Sequence, residues 1–260
     1  MSADSPFLDP AADYIPLFGP DHLVALGAVV LALTLLLVFR SAVREHARGL
    51  RCTFLGLALV QQVVLYWYQA AVAGWDWGDS GPLHISRVTT LVLIVYLATG
   101  RRAVLEVGFY VGLYAYATFL YPQRIQPMDH VMGLSFLVSH AVTILVPVYA
   151  GIATGWRPTV RGLWRSYAWF LAYFVVVLGV NAVTDGNYFY LKYRPFLRGL
   201  PDPLYWLAAG AATLALMWIG YAVARRFPVP VSHSTRSPCS SGLKRTPSSG
   251  STTDGTPRRP

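Results

Sequence analysis

Charge is what this 260-residue chain has least of: Asp, Glu, Lys and Arg make up 13% of it, against 55% hydrophobic residues. Soluble domains run near ~25% charged, and a soluble chain of this length needs polar surface to cover its core. The shortage excludes a soluble globular enzyme, a disordered chain and a nucleic-acid-binding domain. Cysteine is nearly absent too. Cys52 and Cys239 lie far apart, with no C-x-x-C or Cys/His zinc spacing, so neither a structural zinc site nor a redox pair is expected. No motif signals a metal, a nucleotide or a redox cofactor, and the expected cofactor set is none. The net charge of +9 would point to anionic partners in a soluble protein. Here the basic residues sit in short loops and a tail, where they report membrane orientation instead.

What the chain has in abundance is long apolar runs. Seven lie near 23–39, 51–73, 83–99, 103–121, 131–154, 163–183 and 204–224. Each is long enough, or nearly so, to cross a hydrocarbon core of ~30 Å at ~1.5 Å per residue. The third is the weakest, because His84, Ser86 and Arg87 interrupt it. Loop charge provides an independent test. Arg40, Arg44, Arg48 and Arg51, then Arg101 and Arg102, then Arg157, Arg161 and Arg165, then the basic tail, all fall on one side. The other side holds Arg124, Lys192, Arg194 and Arg198 and nine of the twelve acids. Basic residues near membrane ends stay cytoplasmic. The expectation is an all-α, polytopic bundle of seven transmembrane helices, with the N-terminus outside and the C-terminus cytoplasmic, in a multi-pass cell-membrane protein. Residues 1–22 carry four Asp and no Lys or Arg, unlike a signal peptide, and are read as an extracytoplasmic segment. The membrane domain is expected over 23–227. Residues 228–260, rich in Ser, Thr, Pro, Gly and Arg, are expected to be a disordered cytoplasmic tail.

Polar groups inside such segments need a partner, a cavity or an interface. Gln62, Tyr66 and Gln69 are spaced i, i+4, i+7 and share a helical face. They read either as interhelical hydrogen bonds or as the wall of a polar cavity. His84 and Arg87 are spaced i, i+3, with Pro82 in a first turn and Asp79 or Ser80 as possible caps. Arg87 either snorkels to the interface or binds a phosphate or carboxylate. His140 falls near mid-bilayer. It is either a neutral imidazole satisfied within the bundle or a general base. Pro147, seven residues on, is expected to kink its helix. The Asp185-Gly186-Asn187 turn leads into an aromatic run that could lie over the outer mouth. Glu106, at the other level, is expected to be interfacial or paired with Arg101 or Arg102. By the segment ends, Ser86 lies about one turn in and His140 about two and a half, a mismatch of ~8 Å.

Four pieces together carry a family resemblance: Pro82-Leu-His-Ile-Ser86, Phe136-Leu-Val-Ser139-His140-Ala, Arg157-Pro-Thr-Val-Arg161 with Arg165, and Gly186-Asn-Tyr-Phe-Tyr-Leu191 before Arg194-Pro195. In order and spacing the chain resembles the YwaF-like integral membrane proteins over most of residues 22–224. Those proteins are distantly similar to a eukaryotic ether-phospholipid acyltransferase, and more distantly to membrane fatty-acid-ester hydrolases that use a Thr and a His. The resemblance implies a catalytic pair at Ser86 and His140, with Ser standing where the family usually has Cys. A serine hydroxyl needs a general base far more than a thiol does.

The functional expectation is a membrane enzyme that transfers or hydrolyses a lipid acyl group. Ser86 and His140 would be catalytic, with His84, Arg87, Asp185, Asn187 and Gln62 binding substrate. Membrane lipids are the expected partners and nucleic acid is not. A transporter using the same polar cavity, or a membrane binding or structural protein without turnover, is the alternative.

Overall fold

A computed structural model describes residues 6–121 and 125–226. The basic tail read as residues 228–260 lies outside the described residues. Among them the chain is all-helical: α1 Pro20–Val38, the short α2 Arg40–Glu45, α3 Ala47–Tyr68, α4 Ile85–Thr99, α5 Arg102–Leu120, α6 Val131–Thr154, α7 Val160–Thr184 and α8 Asp202–Arg226. A π-helical turn, Gln69–Ala73, prolongs α3 until Gly74 ends it at φ +84°, a backbone angle suited to glycine. Six helices, counting α3 with that turn, are long and apolar enough to cross a membrane. The seventh apolar segment is α4, which has only 15 residues. α6 runs through Pro147 as one helix.

α5 and α6 form the centre. Their apolar stretches are 56% and 61% buried, whereas those of α1, α3, α7 and α8 are 17–28% buried. The outer helices expose large side chains such as Leu31, Val63, Trp169, Val175 and Ile219, as expected where hydrocarbon is the solvent.

One end of the bundle is tied by arginines. Arg44 Nε donates to the Ile152 carbonyl at 3.2 Å, Arg51 Nε to Leu97 at 2.6 Å and Arg102 Nη2 to Thr154 at 3.4 Å. Those carbonyls belong to the last turns of α4 and α6, where a cation offsets the negative end of the helix dipole. Glu106 is also at this end. Its partner is not Arg101 or Arg102. Its carboxylate accepts from Thr159 Oγ1 at 2.6 Å and from Arg165 Nη1 at 3.4 Å, at the start of α7. Thr159, the N-cap of α7, also accepts from the Gly162 amide at 2.9 Å. The positive end of the α7 dipole favours a carboxylate at that position.

The opposite end is tied by loops. Ile15 N bonds the Ile125 carbonyl at 2.8 Å. Two buried histidines cross-link it further. His22 accepts from Phe18 N through Nδ1 and donates from Nε2 to the Phe119 carbonyl at 2.6 Å. His130 caps α6 by accepting from Met132 N, and donates to the Asp9 carbonyl at 3.1 Å.

Candidate functional site

The level of each helix is fixed at Gly112 of α5. A Cβ built there would lie 2.8 Å from Thr143 Cγ2 of α6 and 3.3 Å from Thr89 Cγ2 of α4. Thr89 and Thr143 therefore lie at one depth. Ser86 and His140 each stand three residues before those threonines, and α4 and α6 run in the same direction. That places Ser86 and His140 at a common level, about 4.5 Å from the threonines at ~1.5 Å per residue. The mismatch of ~8 Å inferred from segment ends does not hold, because α4 begins much deeper than α6. Ile85 precedes Thr89 by four residues and Val131 precedes Thr143 by twelve, a difference of ~12 Å along the axis.

Residues 74–84 lead into this deep start of α4, with Gly78, Ser80 and Gly81 buried. This corrects the expected start of the helix. Pro82 is not in its first turn, and neither Asp79 nor Ser80 caps it. His84 is the N-cap residue and makes no side-chain cap bond. The expected caps are engaged elsewhere. Ser80 Oγ donates to Gln69 Oε1 at 3.1 Å and accepts from Asp76 N at 3.0 Å. Asp79 Oδ1 pairs with His84 Nε2 at 2.9 Å, and its carbonyl accepts from Arg87 Nη1 at 2.6 Å. The same Nη1 donates to the Gly81 carbonyl at 2.7 Å. Thus His84 and Arg87 do share a face, and both bind Asp79.

A second loop locks the first. Tyr188 is 1% exposed. Its hydroxyl donates to the Trp77 carbonyl at 2.8 Å and accepts from the Gly81 amide at 2.9 Å, and its ring meets His84 edge-on at 4.9 Å. Gly186 lies against Gly78, where a Cβ would come within 2.7 Å of the Gly78 carbonyl oxygen. Asn187 Oδ1 accepts from the Lys192 and Tyr193 amides at 3.0 and 2.9 Å, and Asp185 pairs with Lys192. The aromatic run does not all lie over the mouth of the bundle. Tyr188 is inserted under it, and Phe189 packs among Tyr114, Phe170, Tyr173 and Phe174.

His140 is 5% exposed. Its Nδ1 lies 2.9 Å from the Phe136 carbonyl, an obligate acceptor, so Nδ1 carries the proton and Nε2 is left with its lone pair. Ser139 Oγ lies 3.1 Å from the same Nδ1. The ring lies against Phe136 at 4.0 Å, tilted by 32°, and meets Phe119 edge-on at 5.6 Å. No hydrogen bond joins Ser86 to His140 among the described residues; the two share a level, with Ser139 bonded to the histidine. Ser139, adjacent to His140 in sequence, is the partner that sequence reasoning left out of the site.

On α3, Gln61 Nε2 donates to Ser135 Oγ at 2.8 Å and Gln62 Nε2 donates to Gln61 Oε1 at 2.8 Å. Gln62 Oε1 and the Tyr66 hydroxyl are buried without a partner among the described residues. Beside this row an apolar crevice of about 140 Å³ opens between α1, α3 and α6, lined by Val29, Leu57, Val138, Ala141 and Leu145 among others. Among the described residues no cluster of His, Cys, Asp and Glu is placed to hold a metal ion.

Among the described residues, an all-helical chain with six membrane-length helices, a shorter seventh of 15 residues and polar groups gathered at its level is a multi-spanning integral membrane protein, surrounded by lipid. More particularly, it belongs to the TMEM164 family, whose sequence pattern matches residues 17–221. No curated protein and no solved structure matches it.

Proposed function

We propose that the protein is a seven-span membrane enzyme, N-terminus outside and C-terminus cytoplasmic, that transfers or hydrolyses a lipid acyl group with Ser86 as nucleophile and His140 as base. The supporting observation is their common level. Ser86 is in the first turn of an uncapped helix, and His140 presents a bare Nε2 at the same depth. As Ser86 Oγ attacks the ester carbonyl carbon, its proton passes to His140 Nε2. Collapse of the tetrahedral intermediate breaks the ester C–O bond, and the departing alkoxide takes that proton. The acyl group on Ser86 then passes to a hydroxyl acceptor or to water by the reverse steps. The crevice beside Ala141 suits part of an acyl chain, being apolar and next to His140 in the chain. His84, through Asp79, and Asn187, whose amide donates to the Gly78 carbonyl, support the site by holding residues 74–84 at the start of α4, while Asp185 braces the second loop through Lys192.

The test is purified protein in lipid nanodiscs supplied with acyl-radiolabelled phospholipid. Acyl release or exchange is expected, and it should vanish in Ser86→Ala. Turnover that survives Ser86→Ala removes Ser86 as nucleophile. Absence of any turnover with a range of acyl lipids favours a transporter or a non-catalytic membrane protein.

A further inference from the structure

A second cavity, of about 290 Å³, lies between α7 and α8 at the loop end of the bundle. Neither Ser86 nor His140 lines it. Its apolar wall includes Ala182 of α7, Leu191 of the following loop and Trp206 of α8, and its polar wall is Lys192, Arg194 and Asp202. At the small end of ligand pockets, it suits a headgroup and not a whole lipid. The two helices that bound it face lipid, with only 17% and 22% of their apolar stretches buried. Trp206 is in the first turns of α8, where an amphipathic ring sits at headgroup depth.

The charges at this cavity are paired and held in place. The Arg194 side chain is 9% exposed. Its Nε donates to the Leu191 carbonyl at 3.3 Å, its Nη1 to the Leu200 carbonyl at 2.6 Å and its Nη2 to the Asp202 carboxylate. The guanidinium carbon also lies 4.2 Å from the centre of the Tyr205 ring. Lys192 pairs with Asp185. Asp202 is 65% exposed, and only its Oδ1 is bonded among the described residues. The indole of Trp206 has neither a ring partner nor a hydrogen bond among them. Two cations, a carboxylate with an open oxygen and a bare indole thus line one cavity, and with Asp185 the local charge sums to zero.

We propose that this cavity binds the headgroup of a zwitterionic membrane phospholipid, at a site separate from the acyl chemistry. The phosphodiester accepts from Lys192 and from the guanidinium of Arg194, which has N–H groups beyond the three already engaged. The headgroup cation lies against the Trp206 ring and the open oxygen of Asp202, drawn by cation–π attraction and by opposite charge. A headgroup with a phosphate and no cation would leave the Asp202 and Asp185 carboxylates unanswered beside its own charge, which selects against it. A neutral headgroup would leave the polar wall without partners. Occupancy does not depend on turnover.

The experiment uses the full chain in detergent with short-chain phosphatidylcholine, phosphatidylethanolamine, phosphatidylglycerol, phosphatidic acid and diacylglycerol, read by native mass spectrometry. The two zwitterionic lipids are expected to bind about tenfold more tightly than the other three. Asp202→Asn keeps the shape of the side chain and removes its charge. It should weaken both zwitterionic lipids several-fold and strengthen phosphatidylglycerol and phosphatidic acid. Trp206→Leu keeps apolar bulk and should weaken phosphatidylcholine most, because a quaternary ammonium has no N–H to give Asp202. The readout is the order of preference, which a general loosening of the fold does not change. The same order should persist in Ser86→Ala, which separates this site from the acyl-transfer reading. Equal binding of zwitterionic and anionic lipids, or an unchanged order of preference in both Asp202→Asn and Trp206→Leu, overturns the proposal.

Discussion

His140 and Phe136 are bound within one turn of α6: the ring Nδ1 lies 2.9 Å from the carbonyl oxygen four residues earlier. That bond fixes the tautomer and leaves Nε2 as the proton acceptor. It also confines the hydrogen bonds of His140 to its own helix, so removing the ring should not unlock the bundle. His140→Ala is expected to lower turnover by ~10²- to 10⁴-fold, the usual worth of a positioned base, with the circular dichroism spectrum retained. A His140→Ala protein as active as wild type would leave the imidazole a packing group.

Serine at position 86 makes the reaction depend on that base. A thiol in its place would be partly ionised without one. Ser86→Cys is expected to keep or raise turnover and to become sensitive to alkylation by iodoacetamide, with the double variant Ser86→Cys/His140→Ala losing less activity than His140→Ala alone. The comparison is read from acyl release before and after alkylation.

Tyr188 joins the two loops over the start of α4. Tyr188→Phe removes a donor to the Trp77 carbonyl and an acceptor for the Gly81 amide, both in a buried setting. A loss of ~1–3 kcal/mol is expected, seen as a lower thermal midpoint. Gly186→Ala should do the same by pressing a methyl group on the Gly78 carbonyl oxygen, 2.7 Å away. If the clasp positions α4, both variants also lower turnover at temperatures where they remain folded.

Much of the helical layout was legible and the clasp was not. The run read at 131–154 is α6 to the residue, and that at 51–73 matches α3 with its π turn, beginning four residues late. Hydropathy encodes such spans because each residue in hydrocarbon is chosen for its own side chain. It does not encode depth. α4 was read as starting at 83 with its caps in place, whereas Asp79 and Ser80 serve Arg87, His84, Gln69 and Asp76 instead. Nor does it encode order around the bundle. Tyr188 meets Gly81 across 107 residues and Glu106 meets Thr159 across 53, pairings that no local pattern carries. Gln62 and Tyr66 were legible as one polar face, but not as atoms left without partners.

His130 gives the loop end of the bundle a pH dependence. Burial holds its pKa below the ordinary histidine value, outweighing the pull of the Asp9 carbonyl and of the Asp9 and Asp129 charges. The folded state therefore binds fewer protons than the unfolded one. Its stability contribution is present above the unfolded value of ~6.5 and is lost as pH falls through that value toward the lowered folded pKa. Protonation also removes the Nδ1 acceptor that caps Met132 N. The thermal midpoint is expected to fall on acidification below ~6, and His130→Asn, which keeps a cap acceptor without titrating, should flatten that slope.

The most direct measurement is mass spectrometry of the peptide containing Ser86 after the protein has been incubated with an acyl lipid and quenched in acid. An acyl group on Ser86 is expected in the wild type, with strongly reduced labelling in His140→Ala. A wild-type protein that releases acyl chains while Ser86 remains unmodified under every quench, and does so undiminished in Ser86→Ala, would contradict the assignment of Ser86 as the nucleophile.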